Sequence, residues 1–180
     1  MTVEIAKCAA EAHPDLLYIQ ITAWGTVALV IATIGMIVWQ ILSTKNATKV
    51  QLSLQLMEKY DSPQMRANRQ VLAAVMMLQP NPTTSGQFEP IADALESVAD
   101  LRRRSWLDAG LIENTFSVPV RYWWHALKGL ISKMRDDYHD TTIYERFEQL
   151  AVEYDRTEAE RKVPPISQQD LNVFLKSEAL

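Results

Sequence analysis

Cysteine is nearly absent from this chain: Cys8 stands alone among 180 residues. That excludes an intramolecular disulfide framework and a cysteine-based zinc site. Five glycines and eight prolines leave no low-complexity tract, and no internal repeat is present. A surplus of positive charge is missing as well. The formal net charge is −4, so no overall basic field points to nucleic acid. No segment sustains the alternation of a strand, and no hairpin turn signal occurs. The phosphate-cradling and nucleophile motifs built on glycine are missing, namely Gly-x-Gly-x-x-Gly, Gly-x-x-x-x-Gly-Lys and Gly-x-Ser-x-Gly. The largest absence is local: 29 residues between Asp15 and Lys45 carry no charge, while the rest of the chain is charge-rich.

That uncharged run decides the class. About 20 apolar residues, each rising ~1.5 Å, cover the ~30 Å hydrocarbon layer of a bilayer. Residues 16–42 satisfy this, interrupted only by residues that a membrane helix tolerates, among them Thr22, Thr26, Thr33 and two glycines. Tyr18 and Trp39 fall near the two ends, where amphipathic rings favour the headgroup layer, and Lys45 and Lys49 follow as basic anchors. A cleaved signal peptide would need a basic start and a shorter apolar core. The first 15 residues instead carry Glu4, Glu11 and Asp15 against Lys7. The expectation is an uncleaved membrane anchor.

Between Ser43 and Arg69 there are five basic residues against two acids. The positive-inside rule therefore places the C-terminal part in the cytoplasm of a bacterium and the tail, with Cys8, outside the inner membrane. Thr22, Gly25, Ala28, Ala32 and Gly35 recur at spacings of three and four, which keeps them on one helix face. In lipid such a seam permits close backbone approach, so it is a candidate docking face for another membrane helix. The alternative is that membrane helices are rich in such residues in any case. No ionisable residue lies within the run, which argues against ion conduction or proton relay.

Beyond the span, the pattern predicts helices throughout. The span continues to about Tyr60 along a stripe of Val50, Leu54 and Met57. Asp61-Ser62-Pro63 stops it and starts a helix from Pro63 to about Leu78. Residues 79–86 form an exposed loop. A helix from about Phe88 to Ala109 ends at Gly110 and has Phe88, Ile91, Leu95, Val98 and Trp106 on one face. A second runs from Ser117 to Asp137 with Val120, Trp124, Leu127, Ile131 and Met134 inward. Thr141 or Thr142 caps a third, carrying Ile143, Phe147, Leu150 and Tyr154. After Pro164-Pro165, Ser167 and Asp170 form a capping box before a short last helix. The organisation is a tail (1–15), a transmembrane helix (16–42), a juxtamembrane helix (43–62), an all-α cytosolic helical bundle (63–163) and a C-terminal helix (164–180). Seven basic residues against two acids between Arg102 and Arg135 face nine acids against two arginines between Asp136 and Glu160. Attraction between these segments inside the domain is the simplest use of that division.

Few residues suggest chemistry. Arg69 and Arg102 fall on apolar faces, where a charge needs a partner. They form buried or half-buried salt bridges, or Arg102 stacks on Trp106 one turn away, or they make an anion site. Trp123 and Trp124 cannot both point straight inward, so Trp123, beside Arg121 and Tyr122, is a candidate partner contact; packing of both rings is the alternative. Asp136-Asp137-Tyr138-His139-Asp140 is rich in metal-capable groups, but the companion Glu-x-x-His spacing is missing, so no metal and no cofactor is expected.

Three pieces carry a resemblance. They are the arginine-bearing helix 65–72, the turn Leu107-Asp108-Ala109-Gly110-Leu111-Ile112, and the aromatic helix Arg121-Tyr122-Trp123-Trp124 with the later segment 144–150. Together they resemble an uncharacterised bacterial family with one N-terminal membrane span and a cytosolic helical domain of no assigned activity. The resemblance implies the architecture and brings no catalytic residue. The tail and the Pro-rich loop stand outside it. The resulting expectation is a non-enzymatic accessory or assembly subunit of a membrane complex, with other membrane subunits or a second copy as partner. Arg69, Arg102, Trp106, Arg121 and Trp123 are its possible contacts. A tethered enzyme or ligand sensor, and a membrane-associated defence or exclusion protein, are the alternatives.

Overall fold

The computed structural model describes residues 13–78 and 88–180, with the backbone alone for 13–22. Cys8, most of the tail, the 79–86 loop, and the side chains of Tyr18 and Thr22 lie outside the described residues. All regular structure among the described residues is helical. The chain divides between Ala47 and Thr48 into two units, described in turn.

The first unit is the greater part of α1, His13–Tyr60. No proline or charge interrupts its apolar run, so the backbone satisfies its own polar groups over the whole length. Its best stretch has a mean hydropathy of 2.1, and none of that stretch is buried. Thr33 donates its hydroxyl to the Leu29 carbonyl at 2.8 Å, which removes a polar group that lipid could not satisfy. The helix is long and apolar enough to cross a bilayer.

The second unit, Thr48–Leu180, holds the end of α1 and α2 (Pro63–Leu78), α3 (Glu89–Arg103), α4 (Ala109–Tyr138), α5 (Glu145–Glu160) and α6 (Gln168–Glu178). Helices α3 and α4 pack on α5, and α2 packs on α6. Ile91 and Leu95 of α3, Ile112, Phe116, Trp123 and Leu127 of α4, and Phe147 of α5 are wholly enclosed. Edge-on aromatic pairs knit the core: Tyr60 with Phe116, Trp123 with Phe174, and Trp124 with Phe147.

Several expected boundaries move. Gly110 does not end a helix. The chain leaves α3 after Arg103, reverses at Ser105 with φ 58°, and restarts at Ala109. Asp108 drives the restart, its carboxylate accepting from Leu111 N–H at 2.8 Å; an N-cap with a free backbone donor outweighs the glycine beside it. Helix α4 consequently runs through Pro119, which lacks the N–H for the carbonyl one turn earlier. Helix α5 starts at Glu145, not at a threonine cap: Tyr144 precedes it in the left-handed region and offers no side-chain cap. The capping box of Ser167 and Asp170 is present at α6. On α1, Val50 and Leu54 are exposed, and the buried face is Ser53 with Tyr60.

Candidate functional site

The division of charge along the sequence becomes a set of helix-to-helix ion pairs. Arg102 meets Glu153 in a two-pronged bridge, Nη1 and Nη2 donating at 2.7 and 2.9 Å. Its guanidinium also lies 5.1 Å from the centre of the Tyr154 ring. Of the two internal roles open to Arg102 the salt bridge is the one formed; Trp106 lies past the end of α3, and Arg104 is the residue over that ring. The paired geometry raises the Arg102 pKa and lowers that of Glu153, each through the hydrogen bond to the other. Burial pushes the Tyr154 phenol up to about 12.

Arg121 is buried, and its Nε donates to Asp155 at 2.7 Å. The other oxygen of Asp155 is 2.9 Å from His125 Nε2. Arg135 joins Glu148 at 2.8 Å and the Ile143 carbonyl at 2.9 Å. These bridges all tie α3 or α4 to α5 and its entry, the acid-rich segment.

Arg69 has a different task. Its Nη1 donates to the Tyr60 carbonyl at 2.6 Å, capping the end of α1, while its Nε donates to Glu178 of α6 at 2.9 Å. The guanidinium also lies 4.2 Å from the centre of the Tyr60 ring. One arginine thus joins the end of the apolar helix to the last helix of the chain.

Of the candidate contacts, Arg69, Arg102 and Arg121 are therefore occupied by carboxylates. Trp123 is fully enclosed and presents no surface to a partner; both tryptophans of the pair are packed in the core. Trp106 is exposed. Trp39 is exposed too, as are Gly25, Ala28, Ala32, Gly35 and Lys45 on α1, while Lys49 is half-buried. A shallow cleft of about 120 Å³ between α3 and α5 is lined by Arg102, Arg103, Arg146 and Glu153. The segment 136–140 closes α4, with His139 in the left-handed cap position, and Asp140 accepts from Thr142 N–H and Oγ–H. Among the described residues no group of three or more metal-capable side chains converges.

Three contributors escaped the sequence reading. Glu96 of α3 accepts from the backbone N–H groups of Arg146 and Phe147 at 3.2 and 2.6 Å, capping α5 from another helix. Ser53 of α1 accepts from Asp108 N–H at 3.1 Å. Asp155 serves Arg121 and His125 together. Only Ser53 left a trace, as a polar residue between Leu52 and Leu54; the other two are acids on acid-rich helices.

An all-α domain, with ion pairs between its helices, follows one long apolar helix. The chain belongs to the DUF4760 family, a domain of unknown function whose family model matches residues 27–154. The match starts inside the apolar helix and runs through the Pro-rich loop into α5, further than the resemblance read from the motifs. No curated protein and no solved structure matches the chain.

Proposed function

We propose that this protein is a non-enzymatic, single-span protein of the bacterial inner membrane, with its tail outside and its helical domain in the cytoplasm. It works by association, as an accessory or assembly subunit of a larger membrane complex. The observation that carries the reading is the surface of α1, where Trp24 and Val27 through Leu42 leave their large apolar side chains uncovered. A continuous apolar surface of that length calls for lipid or another protein. The basic excess after the span gives the orientation. The domain adds support: the arginines that a sensor or enzyme would need, Arg69, Arg102 and Arg121, have carboxylate partners.

The seam of Gly25, Ala28, Ala32 and Gly35 is the docking face for the partner helix. A Cβ added at Gly25 or Gly35 meets nothing within 4 Å, so a larger residue there disturbs no contact within the chain. Gly25→Leu with Gly35→Leu is expected to leave membrane insertion intact. It should remove the partner that co-purifies with the wild-type chain from native membranes in mild detergent, as read by mass spectrometry. An unchanged set of co-purifying proteins would rule out the seam as the interface.

A further inference from the structure

The cleft between α3 and α5 carries more positive charge than its own walls use. Arg103 of α3 lines it, is exposed, and makes no side-chain hydrogen bond or ion pair among the described residues. Arg146 of α5 lines it too and is half-buried. Its guanidinium uses only Nη1, which donates to Gln149 at 2.9 Å and lies 3.9 Å from Glu145. A guanidinium offers five N–H donors, so most of those on both arginines are uncommitted. The acids nearby are engaged. Glu153, in the cleft wall, is held by both Nη atoms of Arg102. Asp100 holds Arg104, and Glu148 holds Arg135. Glu96 takes backbone N–H groups of α5, and Glu145 accepts from Gln149 Nε2 at 2.7 Å. Three arginines against Glu153 leave the lining with a charge of +2, on a helix that is otherwise acid-rich.

The cleft measures about 120 Å³, the liquid volume of about four waters, which suits a tetrahedral oxyanion. A shallower depression lined by Gln149, Val152, Glu153 and Arg156 shares two of these residues and so continues the cleft along α5. Val152 is exposed there, and Arg156 comes no closer than 3.9 Å to Glu160. Guanidinium groups take phosphate oxygens with paired hydrogen bonds, and a phosphate monoester carries close to two negative charges at neutral pH, which matches the excess in the lining. We propose that the cleft between α3 and α5 binds the phosphate of a small soluble phosphate monoester. Arg103 and Arg146 hold the phosphate, Arg102 stays with Glu153, and the body of the molecule lies over Val152 toward Arg156. The site lies wholly within the second unit and does not depend on what α1 meets.

The test titrates the full chain, in an uncharged detergent, into glycerol 3-phosphate and reads binding from broadening of the phosphorus NMR line. Wild type is expected to broaden it. Arg103→Gln and Arg146→Gln should each weaken binding about tenfold, the equivalent of one charge-assisted hydrogen bond. Arg103 has no side-chain partner in the fold, so thermal unfolding of that variant should match wild type. Arg104→Gln, at the next residue but paired with Asp100 and outside the cleft lining, should leave binding unchanged. Glycerophosphoglycerol, a diester with a single negative charge, should bind more weakly than the monoester. No broadening with wild type, full binding by both Arg103→Gln and Arg146→Gln, equal loss in Arg104→Gln, or equal binding of the diester would overturn the site. Binding of short-chain phosphatidic acid but not of glycerol 3-phosphate would place the monoester on a lipid and overturn the soluble ligand.

Discussion

The two units of this chain solve opposite solvent problems with the same secondary structure. In α1, Ile31 is 64% exposed; in the bundle, Ile91 is fully covered. The domain encloses an apolar core and joins several of its charges in inter-helix pairs. Residues 23–44 of α1 are exposed on every side and include no charge to pair. A helix that is apolar all round needs an apolar surrounding, whereas one with an apolar stripe needs only a neighbour on one side. Stability in the second unit therefore depends on packing, and in the first on the medium.

The sharpest break in that comparison is one substitution made in both places. Trp123→Ala opens a cavity in the core and should cost the domain ~3–5 kcal/mol. Trp24→Ala, on the exposed face of α1, should leave the unfolding of the domain unchanged. Chemical denaturation of both variants in the same detergent measures the difference, and an equal loss would mean that α1 is buried by the protein itself.

A smaller effect tests how the charges join the helices. Glu96→Ala removes the acceptor for two backbone donors at the start of α5 and should cost ~1–3 kcal/mol. Hydrogen exchange at Arg146 and Phe147 should accelerate more than elsewhere in the domain. Uniform acceleration would place the loss in global stability and not at the cap.

The mildest effect depends on pH. The Arg102 hydrogen bonds hold the Glu153 pKa below its ordinary value. That stabilisation is present above the unfolded-state pKa and is lost as pH falls through the lower folded-state value. Glu153→Gln should therefore flatten the acid limb of the stability curve. An acid limb identical to wild type would show that solvent screens this bridge.

Much of the architecture was legible from residues alone. Helix α2 has the expected bounds, Pro63–Leu78, because Asp61-Ser62-Pro63 is a local signal that needs no distant partner. Ser167 and Asp170 behave as expected for the same reason. Helix α4 starts at Ala109 and not at the expected Ser117, because Gly110 and Asp108 give competing local signals and the free backbone donors decide between them. Trp123 was ambiguous because two adjacent tryptophans on a helix point about 100° apart. Only the arrival of Phe174 against Trp123 and of Phe147 against Trp124, both from distant segments, shows that both rings can be enclosed.

By itself, the sequence determined the helical class, the long apolar helix and the opposition of basic and acidic segments. These follow from periodicity and from runs of charge or its absence, which are properties of neighbours along the chain. The tertiary structure alone decided which acid each arginine meets, that Glu96 caps a helix 50 residues away, and that Ser53 holds the turn bearing Trp106. Those contacts join residues distant in sequence, and many exposed acids on these helices satisfy the same local pattern. Only packing selects which of them comes within hydrogen-bond distance of a buried guanidinium or a free backbone N–H.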